Sequence, residues 1–213
     1  VSDSRQANNV PPDEAALVRA ARDGQVEAFN ALVLTYQSAI YNLAYRLIGD
    51  AAAAADATQE SFMAAFRHLP QFRDGHDGSF RAWLYRIATN ACYDELRRHK
   101  RRPSVSLDLP EIEARLVSPG ELPEAAAQRV ELNRAIQDCL DALPEDQRTV
   151  IVLCDVQEFD YQQIATITAQ ALGTVKSRIN RARGRLRDCL SLDAVRELLP
   201  DSYRPNSKSS LKS

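Results

Sequence analysis

Six basic residues crowd one short stretch of this chain: Lys176, Arg178, Arg181, Arg183, Arg185 and Arg187 lie between Gly173 and Asp188, against that one acid. The whole 213-residue chain carries a formal charge of -2, so the cluster is local and calls for a polyanionic partner. Set on a helix at about 100° per residue, Leu172, Val175, Ile179, Ala182, Leu186 and Leu190 form one apolar face that packs onto the domain. Lys176, Arg183 and Arg187 then line one flank and Arg178, Arg181 and Arg185 the other, with Ser177 and Gly184 between. Small residues outward with cations on both shoulders suit a helix that enters a DNA major groove and reaches phosphates on both walls. A solvated basic face is the plainer alternative. A short helix and a break at Ala169 to Ala171 just before this segment favour a helix-turn-helix with the basic helix in second place. If six phosphates are neutralised, the log-log slope of affinity against salt is about -5.

A second cationic group, Arg81, Arg86, Arg97, Arg98, Lys100, Arg101 and Arg102, sits in "FRAWLYRIATNACYDELRRHKRR". Phe72, Phe80, Trp83, Tyr85 and Tyr93 lie beside it, and rings next to cations are what single-stranded bases stack on. Taken one at a time, Trp83 and Phe80 read first as core. Two separate patches on an acidic chain imply two contacts with one extended polyanion. Catalysis finds no support: His68, His76 and His99 share no partners, and the acids lack a paired metal-site spacing. No cofactor and no metal are expected. Cys92, Cys139, Cys154 and Cys189 are far apart, each in a helical apolar pattern with no C-x-x-C pair, and are read as reduced core residues.

The elements that must position these residues are helical throughout. Alanine, leucine, arginine and glutamate dominate, and seven glycines with few alternating β-branched runs leave little room for strands. Asp13 caps a first short helix that Gly24 ends. A longer helix follows with Phe29, Leu32, Val33, Tyr36, Ile40, Leu43, Ala44 and Leu47 at core spacing, stopping at Gly49 and Asp50. A third, from about Ala51 to Leu69, puts Phe62, Phe66 and Leu69 on one side and Asp56, Gln59, Glu60, Met63 and Arg67 on the other, before Pro70 stops it. After the polar loop "PQFRDGHDGS", Ser79 caps the fourth helix, with Phe80, Leu84, Ile87 and Ala91 facing inward. From Pro103 to Pro123 the periodicity fails amid four prolines, which marks a flexible acidic linker. Helices resume from Pro123 to Ala142 and from Pro144 to about Glu158, followed by the helix-turn-helix that begins near Asp160. A last short helix, "LDAVRELL", leads into a polar serine-rich tail expected to be disordered.

These residues resemble a known family, the sigma factors of bacterial RNA polymerase, in particular the small extracytoplasmic-function group. "DATQESFMAAFRHLPQF…SFRAWLYRIATNACYDELRR" is similar to that family's domain 2, and "LPEDQRTVIVLCDVQEFDYQQIATITAQALGTVKSRINRARGRL" to its domain 4. The resemblance implies an all-α chain of two small helical domains joined by a flexible linker. Its parts are a disordered N-terminus (1–12), domain 2 (13–102), the linker (103–123), domain 4 (124–190), and a short helix with a disordered tail (191–213). It implies a stress-responsive, non-enzymatic initiation factor that recognises the -35 and -10 promoter elements.

Residue by residue, the resemblance places Asp56, Gln59, Glu60 and Met63 on the clamp helices of the polymerase largest subunit, and domain 4 on the flap of the second-largest. Phe72 and Asn90 match the pocket that holds a base flipped from the -10 element, with Arg81, Trp83, Arg86, Arg97 and Arg98 around it. An asparagine amide offers a base edge both a donor and an acceptor. Tyr161, Thr174, Lys176, Ser177, Arg178, Arg181 and Arg183 match the -35 contacts. Asp108, Glu111 and Glu113 correspond to a segment that threads the polymerase cleft. An anti-sigma factor is the further partner implied.

The sequence departs from the family at Ala169 and Ala171, where glycine and proline are common. Alanine at positive φ is strained by about 1 kcal/mol. The competing reading is a stand-alone helix-turn-helix regulator of duplex DNA, which leaves the first hundred residues without a purpose. No apolar run approaches the roughly 20 residues of a membrane span, and the N-terminus lacks the pattern of a secretory signal, so a cytoplasmic location without membrane insertion is expected.

Overall fold

The computed structural model describes residues 13–73, 75, 78–101 and 123–191, without the side chains of 99–101 and 123–127. The N-terminal segment 1–12, the acidic stretch 103–122 with Asp108, Glu111 and Glu113, and the final helix and tail beyond Ser191 lie outside the described residues. Among the described residues every regular element is a helix.

Four helices build the first bundle. α1 (Glu14–Arg22) begins where the Asp13 carboxylate accepts the Ala16 N–H, and α2 (Val26–Ile48) ends at Gly49, whose φ of 81° only glycine adopts without strain. The α2 stripe Phe29, Leu32, Tyr36, Ile40, Leu43, Ala44 and Leu47 is buried as its spacing predicts. α3 (Ala51–His68) instead buries small residues, Ala53, Ala54, Ala57, Ser61 and Ala65, so its backbone lies close to its neighbours. Phe66, expected on the side of Phe62 and Leu69, stands 49% exposed and meets Phe29 edge to face, ring centroids 5.0 Å apart. Phe62 packs against the core and Leu69 is buried on the expected side, so Phe66 alone departs from it, with alanine filling the rest. A single 3-10 turn, Leu69–Gln71, then leads to the loop before α4 (Phe80–Arg101), where the Ala82 N–H donates to the Ser79 hydroxyl at 3.2 Å.

The second bundle comprises α5 (Pro123–Asp141), α6 (Glu145–Ile151), α7 (Tyr161–Thr168) and α8 (Leu172–Leu190). The helix expected to run to Glu158 widens into a π turn over Val152–Val156 and leaves through Glu158 at φ 57°. Asp160 and Gln163 then form a reciprocal capping box that starts α7. Ala169 adopts φ 53°, ψ 42°, so the turn keeps its left-handed residue and alanine bears the strain. On α8, Val175, Ile179 and Ala182 are buried, with Leu172, Leu186 and Leu190 at the margin, as the apolar face requires.

One expectation about cysteine fails. Cys139 of α5 and Cys189 of α8 are joined in a disulfide, Cα atoms 5.9 Å apart. They are 50 residues apart in sequence, so helical periodicity gives no hint that they meet. Cys92 is buried and free, and burial pushes its thiol up to about 12; Cys154 is half-buried and free, and burial pushes it up to about 11. Both are poor nucleophiles at neutral pH.

The two bundles share a single core. Tyr85 on α4, 1% exposed, meets Phe159 edge to face with centroids 4.8 Å apart, and its hydroxyl donates to Gln157 Oε1 at 2.6 Å. Arg148 on α6 donates to the Leu47 carbonyl at 2.7 Å and to Asp141 Oδ1 at 2.7 Å. Arg46 donates to Asn133 Oδ1 and Gln137 Oε1, each at 3.3 Å, and the Tyr93 hydroxyl to Thr149 Oγ1 at 2.8 Å. This docking explains why α4 buries Tyr85; the helix also buries Ala82, Trp83, Leu84, Ala88 and Cys92, while Ile87 and Ala91 from the expected face stay half-buried.

Candidate nucleic-acid interface

α8 has the strongest cationic surface whose side chains stand clear. Lys176, Arg181 and Arg185 are exposed, and no ion pair engages them among the described residues. Arg187 meets only its neighbour Asp188, at 3.4 Å and with both side chains largely in water, a contact of negligible strength. The N-terminus of α8 lacks a side-chain cap at Ala171, and Gly173 has open space where a Cβ would stand.

The two remaining arginines are held by acids of the same bundle. Arg178 pairs with Asp146 at 2.8 Å and is about a quarter exposed. Arg183 makes a forked contact with Asp155, Nη2 to Oδ1 at 2.6 Å and Nε to Oδ2 at 3.2 Å, and lies 3.5 Å from the Tyr161 hydroxyl. The Asp155 hydrogen bonds hold Arg183 in its charged form, raising its pKa further. Ser177 donates its hydroxyl to the Thr174 carbonyl at 3.0 Å, so what it presents outward is an acceptor. Four open cations rather than six lower the expected salt slope to between about -3 and -4. The anchoring acids Asp146 and Asp155 escaped the sequence reading because they lie on α6 and the π turn, far from α8 along the chain.

The α4 surface is less open. Asn90 is exposed and Arg86 half-buried on the same helix. Arg97 pairs with Asp94 at 3.0 Å and Arg98 with Glu95, both one turn back on the helix. Arg81 donates to the Gln157 carbonyl of the other bundle and lies 4.0 Å from the Phe159 ring centroid. Phe72 and Trp83 differ from their expected base-stacking role: they are 1% and 5% exposed, 5.0 Å apart, and each packs on Phe80. Apolar burial in the bundle outweighs exposure beside the loop, and in this conformation neither ring offers a face to a base. The loop positions Asp74, His76 and Asp77 lie outside the described residues.

On α3, Asp56, Gln59 and Met63 are exposed, and Glu60 pairs with Arg67 at 2.7 Å. Met63 and the outward Phe66 add an apolar patch to this polar face, 48% and 49% exposed. Its signal in the sequence was the pairing of two large apolar residues three positions apart on a helix whose buried side is alanine. Among the described residues no three histidine, cysteine, aspartate or glutamate side chains converge as a metal site, and no helix is long and apolar enough to cross a membrane.

Comparison with known proteins adds to this geometry. The Sigma-70 region 2 family matches residues 32–102 and Sigma-70, region 4 matches residues 133–186. The chain is 39% identical to the RNA polymerase sigma-H factor of Pseudomonas aeruginosa over 173 residues, 78% of this chain and 88% of the relative. It is 34% identical to the ECF RNA polymerase sigma factor SigE of Mycolicibacterium smegmatis over 190 residues, 89% of this chain and 72% of the relative. Among solved structures, the sigma factor RpoE of Bartonella quintana, determined with the anti-sigma factor NepR, superposes with a TM-score of 0.59 at 28% identity, covering 78% of this chain and 98% of that one.

Proposed function

We propose how labour is divided along this chain, which belongs to the extracytoplasmic-function sigma factors of bacterial RNA polymerase and directs that enzyme to promoters as a non-enzymatic subunit. α7 and α8 read the -35 element: Lys176 and Arg181 reach base edges and phosphates, while Tyr161, Thr174, Ser177, Arg178 and Arg183 set the helix and its backbone contacts. Lysine and arginine prefer guanine in the major groove. α4 serves the -10 element through Asn90, Arg86, Arg97 and Arg98, with Arg81, Phe72 and Trp83 beside the same pocket. α3 docks on the polymerase through Asp56, Gln59, Glu60 and Met63, and domain 4 on the flap. An anti-sigma factor is a further partner, as for the Bartonella relative, and the chain acts in the cytoplasm.

The observation that carries this reading is the open trio Lys176, Arg181 and Arg185 on the second helix of a helix-turn-helix, in a chain with a second cationic helix. Extruding a base costs a few kcal/mol, about what one or two stacking contacts return, so α4 works by holding unpaired strand rather than by spending ATP. The test is co-purification with core polymerase together with mapping of start sites on genomic fragments. New start sites that require the chain support the assignment; binding to duplex DNA with no retention on polymerase supports the stand-alone regulator instead.

A further inference from the structure

We infer that Asp155 is a positioning residue for -35 reading: it holds Arg183 of α8 across to the π turn, where the guanidinium braces α8 against α7 and is withheld from sequence-independent contact with phosphate. The inference rests on the assignment of α7 and α8 to the -35 element.

Each nitrogen of the Arg183 guanidinium has a partner within the second bundle. Nε donates to Asp155 Oδ2 at 3.2 Å and Nη2 to Asp155 Oδ1 at 2.6 Å, a parallel fork. Nη2 also lies 3.6 Å from Cys154 Sγ, and Nη1 lies 3.5 Å from the Tyr161 hydroxyl. One side chain of α8 thus ties together the π turn and the first residue of α7. Lys176, Arg181 and Arg185 of the same helix are exposed and meet no acid among the described residues.

The backbone around Asp155 is shaped for this contact. The helix widens into a π turn over Val152–Val156, which buries Val152 and Leu153 and leaves Asp155 outside, and Glu158 then takes φ 57°. Single π turns inside helices and left-handed residues other than glycine both gather at functional sites. The pair itself does little for the fold. Its side chains are 47% and 42% exposed, and ion pairs this open to water contribute little to stability. Its effect falls instead on the charge that α8 shows to a partner.

Affinity for any duplex comes from phosphate contacts, whereas base contacts specify sequence. A released Arg183 would reach one more phosphate on any duplex, which at roughly 0.1 M salt tightens binding about eightfold and steepens the log-log salt slope by about 0.9. The same release loosens the brace between α7 and α8, so the base contacts of Lys176 and Arg181 gain less than the phosphate contacts do. Asp155 therefore lowers binding to the wrong duplex more than binding to the right one.

The test uses the full chain and its Asp155→Asn variant, in which the amide keeps the size of the side chain and one acceptor. Fluorescence anisotropy in potassium chloride titrations measures binding to a duplex spanning the chain's own -35 element, taken from a mapped start site, and to a mixed-sequence duplex of the same length. On the mixed sequence, Asp155→Asn should steepen the slope from between about -3 and -4 to between about -4 and -5, and preference for the promoter duplex should fall about fivefold. Asp155→Glu, whose carboxylate can still be forked, should keep the wild-type slope. Asp155→Asn with Arg183→Gln should return to it, because the added contact is made by Arg183. An unchanged slope or an unchanged preference in Asp155→Asn overturns the role, as does a slope that stays steep without Arg183, which would make the effect one of removed charge alone. Lys176→Ala with Arg181→Ala separates the two layers: if preference for the promoter duplex survives there, α8 is not the reading helix, whatever the Asp155 slopes show.

Discussion

The basic helices α4 and α8 carry similar charge but meet different surroundings. α8 keeps Lys176, Arg181 and Arg185 in water and anchors its flanks with Asp146 and Asp155 from its own bundle. α4 has Arg97 and Arg98 paired along the helix and Arg81 engaged by the other bundle. Counting arginines does not distinguish them; asking which acid or carbonyl each one faces does. The difference fits the two tasks proposed above, reading of an existing duplex by α8 and contact by α4 with strands that appear once the promoter opens.

The largest effect expected from breaking this contrast is on α8. Lys176→Ala with Arg181→Ala should lower transcription from the chain's own promoter by a hundredfold or more, since each good base contact contributes about 1–3 kcal/mol, while co-purification with core polymerase persists. Loss of both properties together would refute the division between reading and docking. Next is the disulfide that ties α8 to α5. Closing a loop of 50 residues stabilises by about 4 kcal/mol in the chain-entropy model, so Cys189→Ser should lower the unfolding free energy of the oxidised protein by up to that amount in urea titration and leave the reduced protein nearly unchanged.

A smaller effect tests the contact between the two bundles. Gly49→Ala and Gly24→Ala impose similar left-handed strain, but only at Gly49 does the new methyl meet Asp141 of the other bundle. Gly49→Ala should therefore destabilise by about 1–2 kcal/mol more than Gly24→Ala, by thermal melting; equal losses would contradict the docked arrangement. Smallest is Ala169→Gly, which relieves the strained turn before α8 and should raise stability by about 0.5–1 kcal/mol.

Much of this was legible in the sequence, for identifiable reasons. Asp13, Ser79 and Asp160 announced helix starts because a short polar side chain beside an apolar run has one good use there. The stripes on α2 and α8 followed from spacing, whereas alanine at position 169 left open whether the turn stays left-handed, which the structure settles at φ 53°. What stayed hidden depends on contacts between elements. Arg148, Gln157 and Thr149 are buried polar residues that each have a partner in the other bundle, Leu47, Tyr85 and Tyr93 respectively, so their own helices give no sign of it. Phe66 faces outward because alanines already fill that side of α3, and Phe72 faces inward because its ring completes a cluster with Phe80 and Trp83, the two rings read first as core. Cys139 and Cys189 meet only because α5 and α8 are neighbours.

The contrast between the two helices is tested most directly by paired templates, one fully duplex and one carrying a mismatched bubble over the -10 region, transcribed by purified core polymerase with each variant. Asn90→Ala should lose activity on the duplex, about tenfold, and recover it on the bubble, whereas Lys176→Ala with Arg181→Ala should stay impaired on both. Equal losses for Asn90→Ala on the two templates would contradict the assignment of α4 to strand opening.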